Sequence, residues 1–186
     1  MAKLNVEEIR YTNDMNNEST RSTLGKFMII ASWVIIIGFL AVFFNDKLEK
    51  QRNPNQELEN TSNSLGQQEV TLIRNRQGHY LATGHINGMK VEFLVDTGAS
   101  DVAIPASVAR RLQLKPESRV VYQTANGSVE GFRTTLDSVE LGGIVLRQVP
   151  GGINPGMRDN QILLGMSFLK HLELIQKGNT LTIRQP

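Results

Sequence analysis

Eighteen consecutive residues, Phe27 to Phe44 (FMIIASWVIIIGFLAVFF), carry no charge and lie between Lys26 and Asp46. As a helix rising about 1.5 Å per residue they span roughly 27 Å, close to the hydrocarbon core of a bilayer at about 30 Å. A soluble core helix keeps a polar face toward water, and this run has none. A cleaved leader fits less well: the run exceeds the usual apolar stretch of about 7 to 15 residues, and no A-x-A site follows it. The feature therefore predicts an uncleaved transmembrane signal anchor over residues 24–44, preceded by a polar, disordered tail over 1–23.

Lys and Arg nearly balance across the run, with Arg10, Arg21 and Lys26 before it and Lys47, Lys50 and Arg52 after it. Charge alone thus sets orientation weakly. A short tail ahead of a single span usually stays in the cytoplasm, which places the following domain outside. Residues 45–69 offer only Leu48, Leu58 and Leu65 among Asn, Gln, Glu and Lys. Such a stretch buries too little surface to offset its ordering entropy and reads as a flexible tether reaching roughly 25 to 30 Å. A short helix around Leu48 to Leu58 is compatible with its composition.

From Val70 onward, short apolar runs alternate with glycine-containing turns. LATGHI and MKVEFLV flank Asn87-Gly88, a strong signal for a type I′ hairpin. Similar pairs surround Asn126-Gly127, Gly142-Gly143 and the turn from Lys177 to Asn179. Two short helices interrupt them, at Pro105 to Leu114 and Ser167 to Leu172. Residues 70–186 read as one mostly β domain.

Chemistry is narrowed by what the composition lacks. A net charge of +2 with no basic patch argues against nucleic acid, and the absence of Cys excludes disulfides, zinc thiolates and thiol nucleophiles. His79, His85 and His171 show no metal-ligand spacing, so no metal or cofactor is expected.

One acidic residue stands out. The apolar strand ending Phe93-Leu94-Val95 runs into Asp96, followed by Thr97, Gly98, Ala99 and Ser100. A carboxylate at the end of a buried strand is costly unless hydrogen bonds hold it. Gly98 lets the chain turn and bring its amide close, and Thr97 and Ser100 offer hydroxyls. Hydrogen bonds to the charged form favour ionisation while burial opposes it, so Asp96 is either a tuned acid or a carboxylate capping a turn.

The stretch FLVDTGAS, Phe93 to Ser100, resembles the active-site motif of retropepsin-like aspartic proteases. ILLGMSFL, Ile162 to Leu169, resembles the apolar-apolar-Gly signature that in this family lies behind the active-site loop, and YQTANG occupies the position of its flap hairpin. The likeness runs from about Tyr80 to Arg184 and is nearest to the bacterial membrane-anchored, single-domain branch. It implies a single-lobe acid protease barrel with a flap and one or two short helices, carried by the transmembrane anchor in a bacterial inner membrane with the domain in the periplasm. It implies catalysis by Asp96, supported by Thr97, Gly98, Ala99 and Ser100. Tyr122, Thr124, Ala125, Asn126 and Gly127 would form the flap over a polypeptide substrate, with Tyr122 either facing that substrate or an ordinary strand aromatic, and Leu163, Leu164 and Gly165 the structural signature; Leu163, Leu164 and Phe168 are expected in the core.

The family mechanism needs two carboxylates sharing one proton, since like charges about 3 Å apart cannot both ionise readily. This chain has one Asp-Thr-Gly; Asp101, Asp137 and Asp159 lack the preceding strand and the following Thr-Gly. The resemblance therefore implies a C2 homodimer in which Asp96 meets the partner's Asp96. It further implies a Thr97 hydrogen bond across the axis, and interleaving of the terminal strands VTLIR near Val70 and TLTIR near Thr180. Membrane tethering would raise the effective concentration of the two copies. The rival expectation is a catalytically silent protease-like domain used for binding or scaffolding.

Overall fold

The computed structural model describes residues 6–59, 61–62, 66–124 and 127–186, with side chains from residue 25 onward except that of Thr124. The chain divides into two compact units, one ending at Leu48 and the other running from Glu49 to Pro186. Helix α1 covers Val6–Arg52. Its start at Val6 differs from the disordered tail expected over 1–23. No Pro or Gly interrupts residues 6–24, and extending an existing helix avoids the cost of a new nucleus. Residues 27–44 are exposed on every side of the helix. Within this stretch the Ser32 hydroxyl donates to the Met28 carbonyl at 2.8 Å, satisfying its polar group inside the helix. The helix is long and apolar enough to cross a membrane.

The second unit opens with a departure from the expected tether. Helix α1 ends at Arg52 because Pro54 restricts the residue before it and lacks an N–H of its own. The chain then lies down on the β domain, with Asn53 only 2% and Asn55 only 3% exposed. The Asn55 side-chain amide donates to the carbonyls of Leu81 at 2.6 Å and Ile73 at 2.9 Å, and its oxygen accepts from the Ile73 N–H at 2.7 Å. The Asn55 backbone bridges in parallel to Ala82. Polar side chains here replace a neighbouring strand, so low hydrophobicity does not mean freedom.

The strands are β1 (Thr61–Ser62), β2 (Gln68–Ile73), β3 (Leu81–Ile86), β4 (Met89–Val95), β5 (Val102–Pro105), β6 (Arg119–Thr124), β7 (Gly127–Leu141), β8 (Ile144–Asn154), β9 (Ile162–Leu164), β10 (Glu173–Lys177) and β11 (Thr180–Arg184). Two short helices, α2 (Ala106–Arg111) and α3 (Met166–Leu169), fall close to the expected positions. The larger sheet has the order β3-β4-β9-β5-β8-β7-β6, and an added β3–β7 pairing curls it into a barrel-like wrap. The expected hairpins are present. Asn87 and Gly88 take φ of 51° and 77°, the left-handed values a type I′ turn requires. Strand β7 is longer than expected, serving both the β6 hairpin and the β8 hairpin.

The smaller sheet has the order β1-β2-β11-β10. Here the terminal strands pair with each other, from Thr180 opposite Ile73 to Arg184 opposite Glu69. The two strands expected to interleave between copies thus pair with each other within one chain. Strand β11 has its second edge filled by β10, because the turn at Gly178, with φ of 58°, folds those strands together. Val70, Leu72, Leu181 and Ile183 alternate inward to meet Leu136, Ile144 and Phe93 in one core.

Candidate active site

Strand β4 delivers Asp96 by running parallel to β9, with Leu94 opposite Leu163 and Val95 opposite Leu164. The ladder continues one step past the strand, as the Asp96 N–H donates to the Leu164 carbonyl at 3.2 Å. The chain then turns, with the Ala99 N–H reaching the Asp96 carbonyl at 3.3 Å. Carbonyls of Ala99 and Ser100 accept from the N–H groups of Met166 and Ser167 at 2.8 and 2.9 Å. Loop 96–100 and the start of α3 are therefore stitched together through main chain alone.

Gly165 makes this approach feasible. A Cβ built there would lie 2.6 Å from the Ala99 carbonyl oxygen and would also overlap the Asp101 backbone. The Leu-Leu-Gly signature is thus a packing requirement. Its three positions have different roles: Leu164 is buried, whereas Leu163 faces the cleft. Placement of Leu163 in the core is corrected by strand alternation, since Ile162 and Leu164 take the inward side.

The Asp96 carboxylate is half-buried and accepts from the Gly98 N–H at 2.9 Å. The hydroxyls of Thr97 and Ser100, expected to support it, make no hydrogen bond to it; both residues are exposed on the loop surface. Deeper support comes from a residue outside the expected set. The Ser167 hydroxyl donates to the Pro150 carbonyl at 2.7 Å and accepts from the Val102 N–H at 3.0 Å, joining α3 to β8 and β5. Ser167 stands inside the quoted ILLGMSFL motif, yet both its partners are distant in sequence.

Asp96 opens onto a cleft of about 560 Å3. The β6–β7 hairpin, expected as the flap, contributes Tyr122, Gln123 and Val129 to the same cleft. Gly127 closes the described part of this hairpin opposite Thr124. Ala125, Asn126 and the Thr124 side chain lie outside the described residues. Asp101, Asn154 and Met157 also line the cleft and were not among the expected site residues. Adjacency to Asp-Thr-Gly-Ala-Ser was a usable signal for Asp101; no local pattern marked the other two.

The Tyr122 ring lies against Gly131 and Gly152, whose missing side chains leave it room. Its hydroxyl is buried and has no hydrogen-bond partner among the described residues. Burial, and then the nearby Asp101 charge, push the Tyr122 phenol up, with Arg133 acting in the opposite sense. The phenol therefore stays an O–H group at neutral pH. Among the described residues, no three acids or histidines converge as a metal site.

A family model described as "gag-polyprotein putative aspartyl protease" matches residues 82–171. The chain is similar to a retropepsin-like aspartic protease from Rickettsia conorii of known crystal structure, with 34% identity, a TM-score of 0.53, and coverage of 61% of this chain and 97% of that one. It is 36% identical over 118 residues to an uncharacterised protein in the cobV 5′ region of Sinorhizobium sp., covering 62% of this chain and 51% of that protein. It is also 33% identical over 108 residues to an uncharacterised protein of Rickettsia prowazekii (strain Madrid E), covering 56% and 46%. The chain thus spans about half the length of these two curated relatives.

Proposed function

Because this chain belongs to the retropepsin-like aspartic proteases, we propose that it is an aspartic endopeptidase, anchored by α1 and completed by a second copy of itself. The observation that carries this reading is the position of Asp96. It is held at the end of β4 by Leu164 and Gly98, half-buried, and open to a cleft of about 560 Å3 beside a hairpin. A carboxylate needed only to cap a turn has no use for that cleft.

In the proposed mechanism Asp96 and the partner's Asp96 share one proton across a twofold axis. The ionised member acts as general base on a water, and the protonated member as general acid toward the peptide carbonyl and the leaving nitrogen. Thr97, exposed and unengaged on its loop, is free to bond across the axis. An extended polypeptide would lie between the β6–β7 hairpin and loop 96–100, with Tyr122 and Gln123 on one side and Leu163 on the other. The apolar surface of residues 27–44 supports a single membrane span, with the catalytic unit in the periplasm of a bacterial inner membrane.

Asp96→Asn in the full chain tests the assignment. Loss of peptide cleavage with unchanged folding is the expected result; undiminished cleavage would overturn it. A protein that binds a statine peptide yet cleaves nothing would instead favour the binding-domain alternative.

A further inference from the structure

Resting on the reading that a second copy completes the site, we propose that the two copies join edge to edge along β10, antiparallel about a twofold axis at Ile175. The first support is an open ladder. The smaller sheet ends at β10, and among the described residues no strand pairs with its outer edge. The Arg74 N–H donates to the Asn179 carbonyl and the Gln185 N–H to the Gln68 carbonyl, both at 2.9 Å. The odd-numbered residues of β11 therefore bond toward β2, and Thr180, Thr182 and Arg184 bond toward β10. Their partners Lys177, Ile175 and Glu173 use their main chain inside the hairpin. The N–H and C=O groups of Leu174 and Gln176 are left pointing out of the sheet.

The second support is register. Setting Ile175 opposite the partner's Ile175 puts Leu174 opposite the partner's Gln176, and each such pair exchanges both of its main-chain bonds. Every open group on both copies is then used. A shift of two residues in either direction keeps only half of these bonds within the strands. The contact is isologous, with the same surface supplied by each copy.

The third support is charge. Glu173, Ile175 and Lys177 alternate onto the outward face, while Leu181 and Ile183 of β11 turn inward. The same register sets Glu173 opposite the partner's Lys177 at both ends of the contact. Glu173 meets Arg184 through one oxygen at 3.6 Å, leaving the other for that lysine. Lys177 makes no ion pair among the described residues. An edge lysine alone guards a sheet against pairing; with Glu173 at the matching distance it selects this pairing over slipped ones. Ile175, 43% exposed, is covered by its twin.

The chain contains no Cys, so Ile175→Cys in the full chain, reconstituted in phosphatidylcholine liposomes, reports the axis directly. At such a non-hydrogen-bonded antiparallel pair the Cα atoms lie about 4.5 Å apart, within reach of a disulfide. Copper phenanthroline should link Ile175→Cys at least about tenfold faster than Thr182→Cys, which lies one strand farther from the axis on the same face. Adding Lys177→Glu or Glu173→Lys to Ile175→Cys sets like charges opposite each other and should slow linkage about tenfold. Mixing those two variants restores opposite charges at both ends, and linkage between them should return to near the starting rate. Linkage of Ile175→Cys no faster than Thr182→Cys, charge variants that link as fast as their parent, or a mixture that shows no recovery would overturn the proposal. Statine titration of cleavage activity in the same liposomes separates this contact from the shared Asp96 pair. Preferential linkage with inhibition at one peptide per chain would sink the dyad and leave the β10 contact standing, whereas inhibition at one peptide per two chains without preferential linkage would do the reverse.

Discussion

The main-chain N–H of Asp96 donates to the carbonyl of Leu164 at 3.2 Å, tying the carboxylate loop to a strand that enters the sheet from far along the chain. Position of the Asp96 carboxylate thus depends on a β4–β9 contact that no local feature of the loop provides. Gly165, next to Leu164, controls how closely the two segments approach.

Gly165→Ala should therefore be severe. The added methyl group meets backbone atoms of Ala99 and Asp101, and backbone cannot rotate away as a side chain can. A destabilisation of about 2 kcal/mol or more is expected for such overpacking, measured by urea unfolding followed through the β-sheet circular dichroism. Wild-type stability in this variant would show that the loop does not need this close approach.

Arg52, the last residue of α1, and Asn55 just beyond it should differ sharply in weight. Arg52 pairs with both oxygens of Glu92 at 2.9 and 2.8 Å. Its side chain is 42% exposed, so Arg52→Gln should cost about 1 kcal/mol or less. Asn55→Ala removes three hydrogen bonds at a position 3% exposed and should cost about 2 to 4 kcal/mol through unpaired main-chain groups. Amide hydrogen exchange at Ile73, faster in Asn55→Ala and little changed in Arg52→Gln, is the check; equal effects would contradict it.

Tyr122 gives a pH signature. Its phenol is raised above the ordinary value of 10.0, by burial first and the Asp101 charge second, so the folded chain holds this proton more tightly than the unfolded chain. The resulting stabilisation is complete below about pH 10 and is lost as pH rises through the higher folded value. Unfolding measured at about pH 8 and about pH 11 should show a smaller alkaline loss in Tyr122→Phe than in wild type. Parallel losses would mean that the phenol does not titrate differently in the folded state.

Gly152→Ala should act on the same residue from the other side. A methyl group there overlaps the Tyr122 ring and hydroxyl, so the ring must leave its slot and carry the β6–β7 hairpin with it. Statine-peptide affinity should fall by about tenfold or more, with global stability changed by about 1 to 3 kcal/mol. Unaltered affinity would show that the seat of the Tyr122 ring has no bearing on the cleft.

Legibility followed the range of the interactions. The Asn87-Gly88 hairpin was readable because a type I′ turn demands left-handed φ from those two residues. Asp96 and Leu164 are associated in sequence only through family resemblance, since their hydrogen bond joins segments far apart in the chain. Composition reads the strap at Asn53 and Asn55 as tether, because it does not carry the distinction between polar side chains that bond to main chain and those that bond to water. The seat of Tyr122 depends on Gly131 and Gly152 from two other strands, and in sequence those glycines look like ordinary turn or bulge positions. The terminal strands are legible as strands, whereas their pairing with each other within the chain is not, because it joins segments more than a hundred residues apart.

Active-site titration of the full chain with a tight-binding statine peptide tests the shared Asp96 pair most directly. If each site is built from Asp96 and the partner's Asp96, cleavage activity should reach zero at one peptide per two chains. Loss of activity at one peptide per chain, in protein that sediments as a single copy, would contradict the dyad.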